Sequence, residues 1–454
     1  MNPTIICGAG IAGVSAAYHL AVKHGIPQVI LVDERAPLSL TSDQSSECYR
    51  NWFPGPGDDM VNFINRSIDI MECLADESGN TFQMNRRGYL FCTSRPEAVP
   101  KMQSDAQEIS SLGAGPLRIH TSGAHKSTYF PSPLKGYQGL PDGADLLLGS
   151  EIIRNHFPYL NEEIIAALHI RRAGWFSAQQ MGMYLLDAAR QHGVQFINDR
   201  LVDVEVSNNS VSAVLLRNAG RLPSDTFINA AGPFINEIGG MLGVEFPVFH
   251  ELHIKAAIID SMGAFPRSAT MTIFKDPVLL DWSEEERQFL MSDPDLNWLL
   301  EKLPPGLHFR PEGDDDSQIV LMLWEYQKQK HPPQFPIHID PKYTELCLRG
   351  LTRFMPSVQP YLERLPQPNL DGGYYTKTPE NRPIIDRLPV EGAFIIGALS
   401  GYGLMAACAA GELLAAYVTG DDLPAYAAAL SLKRYRDPDY QALLANWDAD
   451  AGQI

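Results

Sequence analysis

Apolar residues open the chain as a short block, Thr4-Ile5-Ile6-Cys7, too brief for a helix and read as a buried strand. After a glycine-rich turn, Val14 to Val22 carries apolar positions at helical spacing, and a second apolar run, Val29 to Val32, ends on Asp33. The same strand, turn and helix order returns near the other end. There an apolar run, Ala393 to Ile396, meets the turn Gly397-Ala398-Leu399-Ser400-Gly401-Tyr402-Gly403 and then Leu404 to Val418, a helix rich in small residues (Ala406, Ala407, Ala409, Ala410, Gly411, Ala415, Ala416). Between them the spacing predicts a helix over Gln179 to Gln191, stopped by Gly193, then strands at Val194 to Ile197 and Leu201 to Val206. Further strand-like runs are Gly88 to Thr93, His253 to Ile259 and Ile319 to Trp324. An insertion over 283–303 has helix signals of its own. Ser283 with Glu286 forms a capping box, and a second helix is expected from Pro294 to Leu303, carrying Leu296, Trp298, Leu299 and Leu300. It reads as a lid, a subunit contact or a loop packed on its own domain.

The first turn carries chemistry. Gly8-Ala9-Gly10-Ile11-Ala12-Gly13 is a GxGxxG sequence between a strand and a helix, the arrangement that seats a dinucleotide diphosphate on a helix N-terminus. Gly8 permits the tight turn, Gly10 lets backbone approach the phosphates, and Gly13 lets helix and strand pack closely. Asp33 stands where a carboxylate accepts the ribose hydroxyls, and Glu34 and Arg35 follow as further cofactor contacts. The second turn offers another positive helix end, either facing a flavin's pyrimidine edge or simply starting a buried helix.

Bulk properties narrow the class. With 454 residues, 45% hydrophobic and 20% charged, the chain can bury a sizeable core. Its net charge of −18 argues against nucleic acid or anionic membrane as partners, since both are bound by basic surface. Six scattered cysteines without a C-x-x-C pair suggest neither a disulfide framework nor a zinc site; Cys7 and Cys408 are expected to be packing residues. With a strand beginning by Thr4 and only the glycine-broken 393–418 segment approaching membrane hydrophobicity, the expectation is a cytoplasmic protein without a membrane span.

Taken in order, the N-terminal GAGIAG with Asp33, Arg87-Gly88-Tyr89-Leu90-Phe91, Ala173-Gly174-Trp175, Phe227-Ile228-Asn229-Ala230-Ala231-Gly232-Pro233, Tyr375-Thr376-Lys377-Thr378-Pro379-Glu380-Asn381-Arg382-Pro383 and Ser400-Gly401-Tyr402-Gly403 resemble the D-amino-acid oxidase superfamily. The nearest likeness is to its sarcosine oxidase, glycine oxidase and flavin-dependent proline and dimethylglycine dehydrogenase branch. The resemblance implies FAD rather than NAD. It also implies an α/β fold, in which a Rossmann-like FAD-binding domain (1–82, 146–246, 367–454) interleaves with an α+β substrate domain on a mixed, largely antiparallel sheet (83–145, 247–366). By the same resemblance the backbone of Leu201 and Val202 holds the adenine, with Ala230, Ala231 and Gly232 also at the cofactor. Gly397, Ser400, Gly401, Tyr402, Gly403, Leu404 and Met405 lie along the flavin.

The loop Thr41 to Arg50 is implied to run past the diphosphate to the flavin ring, its hydroxyls (Thr41, Ser42, Ser45) suiting phosphate and ribitol. Arg50 is placed as a carboxylate clamp, unless it pairs with Glu47 or Asp43. Tyr375 takes the position of an active-site tyrosine, Tyr402 a second wall, and Tyr374 should face away from Tyr375 on a strand. Tyr49, His253, Trp324 and Arg382 are further substrate candidates, although histidines on apolar strands, His250 included, more often pack in the core. Departures matter too. Gly373 stands where monomeric sarcosine oxidases carry the flavin-bonding cysteine, and the 41–50 loop lacks the histidine that bonds flavin in dimethylglycine and sarcosine dehydrogenases, so FAD is expected to be noncovalent. Met405 replaces a carboxylate-pairing lysine, and no lysine lies in Val320 to Trp324, which favours a dehydrogenase over an oxidase.

The expected reaction is oxidation of a C-N bond of an amino acid, N-methyl amino acid or secondary amine by hydride transfer to flavin N5, with oxygen, a quinone or another carrier as acceptor and a homo-oligomer as one possible assembly. The alternatives are an FAD-dependent 2-hydroxy-acid dehydrogenase and a flavoprotein scaffold or subunit inactive alone.

Overall fold

The computed structural model describes residues 2–122, 129–313, 316–327 and 330–446. A six-stranded sheet holds, in order, Ile384–Arg387, Ala393–Gly397, Thr226–Asn229, Thr4–Cys7, Val29–Asp33 and Gln195–Asn198. All neighbours are parallel except the first pair. Thr4–Cys7 is central and wholly buried, as its unbroken apolar character requires of a strand covered on both faces. The glycine turns after Cys7 and after Gly397 therefore leave from the same sheet edge, two strands apart.

The helices that follow these turns, Ile11–Tyr18 and Gly403–Thr419, lie against each other. Small side chains bring the backbones so close that Ser15 Oγ donates to the carbonyl of Ala407 at 2.7 Å. A Cβ on Gly411 would stand 2.3 Å from Ser15 Oγ and 2.8 Å from Ser15 backbone carbon and oxygen. Gly411→Leu is expected to destabilise the protein by about 3 kcal/mol or more, because backbone cannot move aside as a side chain can; a denaturant midpoint measures it. Ser400–Thr419 is the one helical stretch among the described residues long and apolar enough to cross a membrane, and it is 78% buried inside the protein. It is core, as expected from its glycines. Cys7 and Cys408 are buried packing residues, their thiols both pushed up to about 12, chiefly by burial.

A nine-stranded sheet runs Asn369–Lys377, Phe249–Ile259, Ile319–Leu323, His308–Pro311, Met271–Phe274, Tyr89–Thr93, Ala166–Ile170, Ala144–Leu148, Leu117–Thr121. It is mixed and largely antiparallel, with two parallel pairs. Strands Ala166–Ile170 and Asn369–Lys377, which the expected boundaries assign to the FAD-binding stretches, hydrogen-bond into this sheet. Ala144–Leu148 in it straddles the boundary at 145/146. One face is apolar and packs with Trp324, Phe309, Met322, Leu90 and Tyr343 in a second core. The other face turns toward the six-stranded sheet.

The capping box forms: Glu286 N donates to Ser283 Oγ at 3.2 Å and Ser283 N to Glu286 Oε2 at 2.8 Å, starting the helix Glu284–Ser292. The second expected helix is only a 3₁₀ turn, Asn297–Leu300, because Lys302–Leu303 leaves to pair as a strand with Val278–Leu279. Leu290 and Leu299 are buried in the second core, so the insertion packs on its own domain.

Candidate active site

One cleft joins the two glycine turns. Gly8, Gly10, Ile11 and Ala12 border it at one end, and Gly397, Ser400, Gly401, Gly403 and Leu404 at the other, with Thr41, Ser42 and Ser45 between. Its volume, about 430 Å³, lies in the range of small-molecule sites. The turn geometry follows from its glycines. Gly8 has φ +108°, and a Cβ there would lie 2.3 Å from the carbonyl oxygen of Ala230. A Cβ on Gly13 would lie 1.9 Å from that of Gly8. Gly10 is different: a Cβ on it would meet only Ser42 Oγ, at 3.4 Å, so this backbone is bare toward the cleft. Ser42 Oγ also accepts from Ile11 N at 3.0 Å, tying the loop to the helix start.

Asp33 accepts from Ala9 N at 2.8 Å and from Arg35 N at 2.9 Å, one bond per oxygen, which holds its carboxylate at the cleft edge. Beyond it Glu34, Arg35, Asp199, Arg200, Leu201, Ala230, Ala231, Gly232 and Phe234 complete that end. Val202, next to Leu201 on a strand, points outward and is 46% exposed, so only its backbone can serve a ligand. Arg35 is stacked between the rings of Phe234 (5.7 Å) and Phe335 (5.4 Å), and Phe335 comes from the 330–339 segment that crosses over from the larger sheet. Ala9, Gly13 and Met405 stand behind the lining; Met405 is buried in the core among the helices.

Strand alternation explains which residues reach the other wall. On the face turned to the cleft, cross-strand register places Tyr375 opposite Glu251, Gly373 opposite His253, Lys255 opposite Leu323, and Leu323 opposite His308. The 41–50 loop rests on this face. Lys255 Nζ donates to the carbonyl of Ser45 at 2.9 Å, Arg310 donates to that of Ser46 at 2.8 Å, and a Cβ on Gly373 would stand 3.3 Å from Thr41 Cα. Tyr375 is the shared element: its ring stacks on His253 with centroids 3.7 Å apart, and a Cβ on Gly401 would be 2.5 Å from its Cε2. Tyr374 points the other way, toward Phe335, yet also borders the cleft, because this is the edge strand and the cleft bends round it.

A charged row lies beneath Tyr375. Lys377 Nζ donates to Glu251 Oε2 at 2.9 Å, His253 Nε2 lies 3.5 Å from the same oxygen, and His253 Nδ1 is ion-paired with Glu325 Oε1. Burial opposes protonation of His253, but the two flanking carboxylates outweigh it and raise its pKa above the usual imidazole value. Burial opposes ionisation of Glu251, yet His253 and Lys377 hold it down to about 2.

Other expected site residues fall elsewhere. Trp324 is on the apolar face: its Nε1 donates to the carbonyl of Pro304 at 2.9 Å and its ring packs against Gly350, so it is a core residue. Tyr49 is fully buried and donates to the carbonyl of Asn85 at 2.6 Å, facing away from its neighbours Cys48 and Arg50. Arg382 donates to the carbonyl of Pro56 at 2.8 Å and faces Asp59 at 3.5 Å, a tie between loops. Tyr402 donates to the carbonyl of Asn381 and packs edge-on to Phe53, so it braces the turn. His250 meets Thr376 Oγ1 at 3.1 Å. Arg50 is buried, with its guanidinium over Phe53 (4.9 Å) and Tyr89 (5.6 Å), the latter on the cleft-facing side of the sheet. Glu47, its expected alternative partner, is taken up by Arg310 at 3.5 Å and by Ala178 N at 2.8 Å. Sequence reasoning missed Glu325. The signal was available: in a strand running Ile319 to Trp324, whichever face takes Trp324 excludes its neighbour.

Two glycine-rich helix starts converging on one cleft beside a polar sheet face define a flavin-dependent oxidoreductase fold. The profile of the FAD dependent oxidoreductase family matches residues 4–417, and the chain belongs to that family. It is 24% identical to human mitochondrial dimethylglycine dehydrogenase over 420 residues, which covers 90% of this chain and 41% of that protein. The rat protein is 24% identical over 326 residues, covering 67% of this chain and 33% of its own length, so this chain spans well under half of either relative. Among solved structures, L-proline dehydrogenase from P. horikoshii superposes with a TM-score of 0.72 at 18% identity, covering 96% of this chain and 98% of that one. Glycine oxidase from Geobacillus kaustophilus gives 0.71 at 14%, covering 95% and 98%.

Proposed function

We propose that the protein oxidises a C-N bond in a secondary amine, N-methyl amino acid or related amino acid, releasing an imine that hydrolyses in water, with FAD held noncovalently. The observation that carries this reading is the single cleft bordered by Gly8–Ala12 at one end and Gly397–Leu404 at the other, with Tyr375 forming the wall toward the sheet. Gly8 to Ala12, Asp33 and Ser42 would hold the cofactor's diphosphate and ribose, and the Gly403–Thr419 helix start would face its ring. Bound FAD supplies the two-electron acceptor. The chain's own residues bind and orient: Tyr375 and His253 form a flat wall that excludes water, and Arg50 is a cation buried beside Tyr89 that suits a substrate carboxylate. Noncovalent binding is supported by Gly373, which packs against Thr41 and offers no thiol. The strand Ile319–Leu323 gives this face Ile319, Leu321 and Leu323, none of them a lysine, which supports a dehydrogenase.

The test is an anaerobic screen of amines and amino acids for bleaching of the flavin absorbance, followed by admission of air. Bleaching with imine-derived carbonyl and amine release, and slow reoxidation in air, is the expected result. Yellow protein that no amine bleaches but a 2-hydroxy acid does would overturn it.

A further inference from the structure

Buried carboxylate oxygens on the cleft-facing side of the large sheet have partners, with one exception among the described residues. Glu251 is matched by Lys377 at 2.9 Å, Lys255 lies 3.6 Å from Asp371, and Arg310 is ion-paired with Glu312 at 2.5 Å and Glu47 at 3.5 Å. Glu325 uses Oε1 on His253, but its Oε2 is buried and makes no hydrogen bond among the described residues. A buried carboxylate oxygen without a donor costs about 1–3 kcal/mol or more, so such an atom on the sheet face whose Tyr375 lines the cleft calls for a partner. A neutral donor would satisfy the bond; a cationic N-H donor makes a stronger, charge-assisted one.

The setting fixes where that ligand lies. Lys255 pairs with Leu323, so two residues further along the antiparallel ladder Glu325 falls across from His253. His253 in turn stacks on Tyr375, which packs on Gly401 at the end of the cleft where the last helix starts. The row Tyr375, His253, Glu325 thus leads from the cofactor cleft along the sheet, and Arg50 stands over Tyr89 on the same face. His308, also on this face, has its pKa lowered by burial, which keeps it neutral, and it adds no competing cation.

We propose that Glu325 receives the substrate's ammonium group at Oε2 and is the residue that makes the site select amines over isosteric neutral or hydroxy compounds. This rests on the reading of the protein as a C-N oxidoreductase and names the group that reads the nitrogen. His253 acts as a positioning residue: its ion pair with Oε1 fixes the carboxylate and leaves Oε2 as the oxygen without a partner.

The experiment measures binding to the FAD-loaded protein by calorimetry and by visible difference spectra, with two pairs of probes matched in shape. One pair is glycine betaine and 3,3-dimethylbutanoate, its carbon isostere without the cationic head; the other is piperidine, protonated at neutral pH, and tetrahydropyran. Wild-type protein is expected to favour the cation in at least one pair by about 10- to 100-fold, through a charged hydrogen bond for piperidinium and through charge alone for betaine. Glu325→Gln should remove that preference while retaining FAD, and Glu325→Asp, which keeps the charge on a shorter stem, should keep part of it. A preference that survives in Glu325→Gln, or a wild-type protein with no cation preference in either pair, overturns the proposal. Wild-type protein that holds no FAD would instead sink the flavoenzyme reading, so the two failures are distinguishable. If Glu325→Gln does not fold, Glu325→Asp decides alone: an undiminished preference there counts against the proposal.

Discussion

Gly13→Val is expected to yield a protein without bound FAD and with a lowered unfolding midpoint, whereas Gly10→Ala is expected to lose FAD while keeping its stability. The contrast follows from what surrounds each α-carbon. At Gly13 a Cβ would sit 1.9 Å from the carbonyl oxygen of Gly8 and 3.0 Å from its carbon, and both are backbone atoms of the preceding turn. The helix has to retreat, and that withdraws the N-H groups at its start from the diphosphate. Overpacking of this kind costs about 1–3 kcal/mol, and more when backbone is the obstacle, so FAD affinity should fall about 100-fold or further. At Gly10 the nearest atom to an added Cβ is Ser42 Oγ at 3.4 Å, ordinary contact, so the fold has no reason to respond. The methyl would instead occupy the bare side of the turn where the phosphates approach. Flavin content after gel filtration, read beside thermal unfolding, checks both. Equal flavin retention in Gly10→Ala would mean that the diphosphate lies elsewhere.

Much of this architecture was legible in the sequence, and the reasons are local. GxGxxG between a strand and a helix is dictated by close contacts within about thirty residues, so Gly8, Gly13 and Asp33 could be placed from spacing alone. The small-residue helix was legible for a similar reason: a stripe of Ala and Gly has little use except to lie against another backbone, here that of Ser15. The substrate side was less so. Its residues come from strands Tyr89–Thr93, Phe249–Ile259, His308–Pro311, Ile319–Leu323 and Asn369–Lys377, and which face each presents depends on register between segments far apart in the chain. A bulky aromatic such as Trp324 suggests a pocket wall, yet register turns it to the core and puts Glu325 on the sheet face that carries His253 and Tyr375. Arg382 illustrates the other failure. Nothing in Asn381-Arg382-Pro383 shows that the guanidinium is taken up by the carbonyl of Pro56, a contact made only once the loops meet.

Arg434→Leu is expected to cost about 3–5 kcal/mol and to weaken FAD retention, although Arg434 lies outside the cleft lining. This arginine, 4% exposed, donates from Nε to Glu380 Oε1 at 2.8 Å, from NH1 to the carbonyl of Pro383 at 2.7 Å, and from NH2 to that of Arg382 at 3.2 Å. It therefore clasps the 380–383 loop from the C-terminal segment. That loop holds Asn381, with φ +58°, whose carbonyl accepts from Tyr402 and whose Oδ1 accepts from Ser400, two residues of the turn that ends the cofactor cleft. Removing the guanidinium leaves the Glu380 carboxylate, 1% exposed, with neutral tyrosine hydroxyls such as that of Tyr435 at 2.8 Å in place of its cation, and an uncompensated buried charge is what makes breaking such a pair expensive. The double variant Arg434→Leu with Glu380→Leu separates the two consequences. It removes both charges, so much of the unfolding free energy should return, as apolar replacement of buried ion pairs often does. The carbonyl of Pro383 still lacks its donor and that of Arg382 keeps Thr378 Oγ1 at 2.8 Å but not the clasp, so the Ser400–Tyr402 turn remains loosely held and FAD retention should stay low. Recovery of FAD binding together with stability would show that the clasp is merely a fold contact and that the turn is held by Asn381 alone.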